Sequence, residues 1–208
     1  SAISQAAGFY HAHKMKGEAP PIVATIGDST FYHAGIPPLI NAVHTGARFV
    51  LLILDNATTA MTGNQLTPGM EMLADGRHGK AVLIEDLVKA CGVKDLRVID
   101  PYGLEEMIKA IKEADNVARS ENGGVSVIIS RHPCLMTAGV LKRQASYSME
   151  VTEDCVACGI CHRDFECPAI SPDPESEKAR IDPSLCSGCG VCVDVCPQQA
   201  IKAITNNQ

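Results

Sequence analysis

The sequence predicts an α/β fold, a parallel sheet with helices on both faces, followed by a small cysteine-bearing α+β module. Two observations carry this reading. Short apolar runs alternate with helical patterns through residues 1–145, the order that builds a parallel sheet. Eight of the ten cysteines then fall in the last third of the chain, in two spaced runs. The 208 residues are 46 % hydrophobic, enough for a proper core. No apolar stretch reaches the roughly 18 residues that a membrane span needs.

Taken in order, Ser1–Lys16 reads as a helix with Ile3, Ala6, Ala7 and Tyr10 on one stripe. It starts without a methionine and as if already under way, so a fragment or processed chain is expected. Ile22–Ile26 is a buried strand that meets a loop at Gly27. Ile36–His44 is helical, with Pro37 and Pro38 tolerated in its first turn. Arg48–Asp55 is a strongly apolar strand, and a Thr-, Gly- and Asn-rich loop runs from Asn56 to about Gly79. Val82–Cys91 is a helix closed by Gly92. Leu96–Ile99 is a strand, Leu104–Arg119 an amphipathic helix and Val125–Ser130 a strand. Residues 131–150 read as a linker, and the two domains are placed at 1–145 and 146–208.

The cysteine runs are Cys155-x2-Cys158-x2-Cys161-x5-Cys167-Pro168 and Cys186-x2-Cys189-x2-Cys192-x3-Cys196-Pro197. The second has the bacterial ferredoxin spacing for 4Fe–4S clusters, in which three thiolates wrap one cube and the fourth reaches the other. Cys155, Cys158, Cys161 and Cys196 are therefore assigned to one cluster. Cys186, Cys189, Cys192 and Cys167 are assigned to the second. Gly159, Gly188 and Gly190 suit the tight turns between ligands. The first run holds two residues more than the usual three before its last cysteine, which lengthens the loop near the second cluster without removing a ligand. A disulfide scaffold would need an oxidising compartment and a smaller core. A zinc site would show ligand pairs across a longer loop, not triplets.

Charge is unevenly spread. Residues 1–145 carry 14 acidic and 14 basic side chains, while 146–208 carry 10 acidic and 4 basic, which accounts for the net −6. An acidic tail argues against nucleic acid as a partner. It would steer a basic redox partner, or simply be a solvated face.

A second constellation is Gly27-Asp28-Ser29, then 25 residues, then Asp55-Asn56. Asp28 and Asn56 each follow an apolar strand, and parallel α/β sheets bind ligands at their carboxyl ends. A carboxylate, an amide oxygen and a nearby backbone carbonyl are hard ligands suited to Mg2+ with substrate phosphates. Gly27 lets the backbone approach, and the amides after Ser29 offer a phosphate seat at a helix start. Gly-Asp and Asp-Asn pairs are also ordinary turn formers.

The spacing resembles the thiamine-diphosphate fingerprint. More closely, Gly27-Asp28-Ser29-Thr30-Phe31, Leu54-Asp55-Asn56-Ala57-Thr58-Thr59-Ala60-Met61-Thr62-Gly63 and Arg131-His132-Pro133-Cys134, with the double cysteine run, resemble the indolepyruvate:ferredoxin oxidoreductase family, in the C-terminal portion of its alpha subunit. The resemblance implies a thiamine-diphosphate-binding fold followed by a ferredoxin-like domain with two 4Fe–4S clusters. It implies Asp28, Asn56 and the Thr58 carbonyl as Mg2+ ligands, with Gly27, Ser29 and Thr30 at the diphosphate. Met61, Thr62, Gly63 and Gln65 would form the loop beside the thiazolium. Asp55 stands where the general fingerprint has an asparagine, and Ser29 where it has a glycine; both departures are usual in this family.

The implied activity is oxidative decarboxylation of an arylpyruvate such as indolepyruvate. The acyl group passes to coenzyme A, and electrons pass through the clusters to an external ferredoxin. Pyruvate or a branched-chain 2-oxoacid is an alternative substrate, and a non-catalytic electron-transfer module an alternative function. The glutamate that activates the cofactor lies, in this family, on a pyrimidine-binding domain that these residues do not supply. Glu71, Glu85 and Glu105 read as loop and helix-surface acids. A hetero-oligomer, or a further domain completing the site, is therefore expected. Oxygen-sensitive clusters point to the cytoplasm of an organism with anaerobic metabolism. His33 follows the phosphate loop and is a lesser candidate for contact with cofactor or substrate, ahead of His44, His78 and His132. Cys91 reads as a packed thiol, and nothing in the sequence around Cys134 supplies the other ligands of a third metal site.

Overall fold

A computed structural model describes residues 2–17, 19–137 and 147–205. The chain divides after Cys134 into two compact units. The boundary expected at 145/146 lies outside the described residues. The stretch read as a linker is shorter than 131–150, because Arg131 ends one strand and residues 147–150 belong to another.

In the first unit, β1 (Val23–Gly27), β2 (Phe49–Asp55), β3 (Asp95–Ile99) and β4 (Val125–Arg131) form one parallel sheet in the order β1-β2-β4-β3. The two inner strands are β2 and β4. Their near-continuous apolar sequences follow from burial on both faces. Phe49, Leu51, Ile53, Val127 and Ile129 face one layer of helices. Into the same core α1 (Ala2–Lys14) sends the expected stripe of Ile3, Ala6, Ala7 and Tyr10. Leu39 and Ala42 of α3 (Ile36–His44) and Ile84 and Val88 of α4 (Ile84–Ala90) complete it. On the opposite face Val50 and Ile128 meet Met107, Ala110 and Ala114 of α5 (Leu104–Arg119). Alternation along each strand divides its side chains between the two cores.

One element begins earlier than expected. The chain turns helical directly after β1, with a short α2 (Asp28–Thr30), a π-helical turn at Phe31–Gly35 and then α3. Pro37 and Pro38 lack an amide hydrogen and crowd the carbonyls one turn back, which favours a widened turn there. Apolar periodicity could not reveal this start, because Asp28-Ser29-Thr30 carries no apolar stripe.

In the second unit β5 (Tyr147–Val151) pairs antiparallel with β8 (Ile201–Thr205), and β6 (Ile170–Pro172) with β7 (Ala179–Ile181). The short helices α6 (Ile160–Arg163) and α7 (Val191–Val195) follow the two cysteine triplets' turns. Met149, Ile170 and Ile201 form a small core with Cys161 and Cys192. Among the described residues no helix is long and apolar enough to cross a membrane.

Candidate functional site

Strand register decides what meets at the carboxyl edge of the sheet. Gly27 lies opposite Leu54, Leu54 opposite Ser130, and Asp55 opposite Arg131. The residues that leave β1, β2 and β4 therefore emerge side by side. The His132 amide donates to the Asp55 carbonyl at 3.0 Å and the Cys134 amide to the Asn56 carbonyl at 3.1 Å. Arg131 through Cys134 thus run along the Asp55–Asn56 turn and fix it.

Asp28, the first residue of the helical run after Gly27, is 3 % exposed. Its Oδ1 accepts from the Ser29 amide at 2.6 Å, while its Oδ2 is buried without a hydrogen-bond partner. Burial raises its pKa, and the adjacent Asp55 carboxylate raises it further. A buried, unpartnered carboxylate oxygen is costly unless a cation or a proton meets it. Asn56 Oδ1 accepts from the Thr58 amide at 3.1 Å, so the two other expected ligands lie on one Asx turn. Thr58 is buried, and its hydroxyl donates to the Gln65 carbonyl at 3.1 Å. The donor set is all oxygen, as Mg2+ requires, so the residues present fit the ion.

The diphosphate candidates are tied to the same turn. The Thr59 hydroxyl donates to Ser29 Oγ at 2.9 Å, linking the β1 and β2 loops. Thr30 ends α2 and sits in the helical run that starts after Gly27. The segment Thr59–Gln65 closes on itself, with Thr59 and Gln65 bridged and the Thr62 hydroxyl donating to Gln65 Oε1 at 2.5 Å. Ala60–Thr62 form a 3-10 turn, and Gly63 follows at φ 118°, a backbone region that favours glycine. Met61 projects fully exposed from that turn.

Three residues that the sequence reading left aside or misjudged also belong here. Arg131 Nε donates to Asp55 Oδ2 at 2.7 Å, and its two Nη atoms grip both oxygens of Glu85 at 2.8 and 2.9 Å. Glu85 is therefore a partner of the site's edge and not a helix-surface acid. Its pKa is lowered, chiefly by the Arg131 hydrogen bonds. Tyr32 donates to the Val82 carbonyl at 2.6 Å; burial, with Asp55, Asp28 and Glu85 nearby, pushes its pKa up to about 12. A charged residue ending an inner strand was the available signal, but only the register shows which charges meet.

The histidines and the other acids stand apart from these turns or serve the backbone. His33 Nδ1 lies 2.6 Å from the Ser29 carbonyl, on its own helical turn. His132 stacks near Tyr102, with ring centroids 4.1 Å apart, and lies 3.2 Å from Asp100. His44 ends α3, and His78 pairs with Met72 in the long loop. Glu71 is in that loop and Glu105 in the first turn of α5. Cys91, at the end of α4, packs against the larger core.

In the second unit one cavity is lined by Cys155, Cys158, Cys161 and Cys196, and another by Cys167, Cys186, Cys189 and Cys192. These are the two groups of four that the spacing assigns. Gly159, Gly188 and Gly190 all have positive φ, between 69° and 82°, where the chain turns between ligands. Burial, and then its three neighbouring cysteines, push the Cys192 thiol up to about 12. Amides of Ala179 and Ala200 donate to the sulfurs of Cys155 and Cys196 at 3.4 and 3.3 Å. Among the described residues no three His, Cys, Asp or Glu side chains converge as a single ion would need. Four cysteines at each cavity equal the ligand count of a 4Fe–4S cube. Phe165 and Glu166, from the lengthened loop, line the second cavity.

The chain thus joins an α/β domain with an oxygen-rich turn at its strand ends to a module with two cysteine-lined cavities. The model of the thiamine pyrophosphate enzyme C-terminal, TPP-binding domain matches residues 1–130, and that of a 4Fe–4S binding domain matches 179–202. The chain belongs to the thiamine pyrophosphate enzyme family. It is 48 % identical over 188 residues to indolepyruvate oxidoreductase subunit IorA of Archaeoglobus fulgidus, covering 89 % of this chain and 29 % of that protein. With the subunit of the same name from Thermococcus kodakarensis it is 42 % identical over 200 residues, 94 % of this chain and 30 % of that one. The chain thus spans less than a third of the length of these relatives. A solved 2-oxoglutarate:ferredoxin oxidoreductase from Magnetococcus marinus shares the fold, with TM-score 0.53, 13 % identity, 68 % of this chain and 50 % of that one covered.

Proposed function

We propose that this chain forms one half of the thiamine diphosphate site of a 2-oxoacid:ferredoxin oxidoreductase and carries two 4Fe–4S clusters. The observation that carries the first part is the buried, unpartnered Oδ2 of Asp28 beside the Asn56–Thr58 turn. In this reading Asp28, Asn56 and the Thr58 carbonyl hold Mg2+, and Gly27, Ser29 and Thr30 seat the diphosphate. Met61, Thr62, Gly63 and Gln65 border the thiazolium and substrate. Bound there, thiamine diphosphate supplies the electron sink for decarboxylation of a 2-oxoacid. Cys155, Cys158, Cys161 and Cys196 hold one cluster and Cys167, Cys186, Cys189 and Cys192 the other; together these supply one-electron relays toward an external ferredoxin.

The names of the relatives favour indolepyruvate as substrate, and in this reading coenzyme A takes the acyl group. The pyrimidine half of the site comes from another domain or subunit, so the working unit is a hetero-oligomer or a longer chain. The cytoplasm suits its oxygen-sensitive clusters. To test the site, thiamine diphosphate is titrated with Mg2+ into the assembled, anaerobically reconstituted protein and its Asp28→Ala variant. The reading expects tight, Mg2+-dependent binding that the variant loses. Equal binding by the two would remove Asp28 from the site.

A further inference from the structure

We infer that Arg131 is the positioning residue that keeps Asp55 out of the cation seat, leaving Asp28 as its only carboxylate ligand. The inference rests on the thiamine diphosphate reading of the site. Its starting point is that two carboxylates, Asp28 and Asp55, touch at the ends of neighbouring strands, yet only Asp28 has a buried oxygen that no donor meets. Asp55 Oδ1 accepts from the Ala57 amide at 3.2 Å, and Oδ2 accepts from Arg131 Nε at 2.7 Å. Asp28 Oδ2 has no partner.

Arg131 is itself held. It ends β4 in register with Asp55, and the bidentate grip of Glu85 on its Nη atoms fixes the guanidinium plane. The Asp55 and Glu85 side chains are 12 % and 19 % exposed and Arg131 39 %, so the acceptors are sheltered while the guanidinium borders solvent. The general fingerprint has a neutral asparagine where this chain has Asp55. Here the arginine takes up the extra carboxylate that the aspartate brings.

The consequence is a matter of ion choice. With Arg131 in place, the protein offers one carboxylate plus neutral oxygens, a small set that suits Mg2+ completed by phosphate oxygens. Without it, Asp55 Oδ2 is free to turn toward the seat, and two carboxylates favour the larger, more flexible shell of Ca2+.

The test measures Mg2+- and Ca2+-dependent thiamine diphosphate binding by calorimetry, on the assembled protein. Wild type, Arg131→Ala, Asp55→Asn and the double variant are compared, and ligand-free thermal melts show that each is folded. Arg131→Ala is expected to move the Ca2+/Mg2+ affinity ratio toward Ca2+ by at least about tenfold, the scale at which groups orienting a ligand act. Adding Asp55→Asn is expected to return the ratio to that of the wild type. A purely structural or long-range electrostatic role would change binding with both ions alike, and an unchanged ratio in Arg131→Ala overturns the inference. Should Arg131→Ala not fold, Asp55→Asn alone must leave the wild-type ratio unchanged; a shifted ratio there overturns it equally. Failure of the wild type to bind with either ion would instead remove the thiamine reading, and the inference with it.

Discussion

At the residue scale the site is a problem of buried charge. Asp28, Asp55, Glu85 and Arg131 lie within one turn of the sheet edge, and their hydrogen bonds assign each a separate task. Asp28 and Asn56 were legible in the sequence because each follows an apolar run at a recognisable spacing. Arg131 and Glu85 were not, since 46 residues separate them and only the β2–β4 register brings the arginine to Asp55. Their pair predicts a pH effect with a definite sign. Glu85 has its folded-state pKa lowered below the ordinary 4.5, so its contribution to stability is present above that pH. It is lost as pH falls through the lowered value. In acid denaturation, the stability difference between wild type and Glu85→Gln should therefore be full near neutrality and shrink below pH 4.5. A difference that grew on acidification would contradict the pairing.

At the element scale most strands and helices were visible from periodicity. α5 was predicted with the bounds that it has, and the edges of β1 to β4 lie within a residue of expectation. The helical start at Asp28 was hidden because its first residues are polar and the π turn interrupts the pattern. In the cysteine module glycine positions were readable, and they differ in what a side chain would meet. At Gly159 (φ 79°) an added Cβ would come within 2.6 Å of the Arg163 side chain, whereas at Gly190 (φ 82°) it would meet open space. Both alanine variants pay left-handed strain of about 1–2 kcal/mol. Gly159→Ala should lose more, because Arg163 must also leave its hydrogen bond to the Cys158 carbonyl. Denaturation midpoints of the two reconstituted variants check this; a larger loss at Gly190 would place the strain elsewhere.

At the scale of the whole molecule, a cofactor domain and a cysteine module share one chain. The order of parts was legible because cysteine spacing is dictated by ligand geometry, and strand ends by apolar runs. What completes the site was not, since on the proposed reading its pyrimidine half comes from another domain or subunit. The central claim is that electrons from a 2-oxoacid reach the cysteine-bound clusters by way of the Asp28 site. The most direct measurement adds indolepyruvate, with Mg2+ and thiamine diphosphate, to the anaerobic assembled protein and follows cluster reduction by electron paramagnetic resonance. The account predicts a reduced-cluster signal that requires thiamine diphosphate and is absent from Asp28→Ala, although that variant keeps its full iron content. Reduction of equal size in the variant, or without thiamine diphosphate, would contradict it.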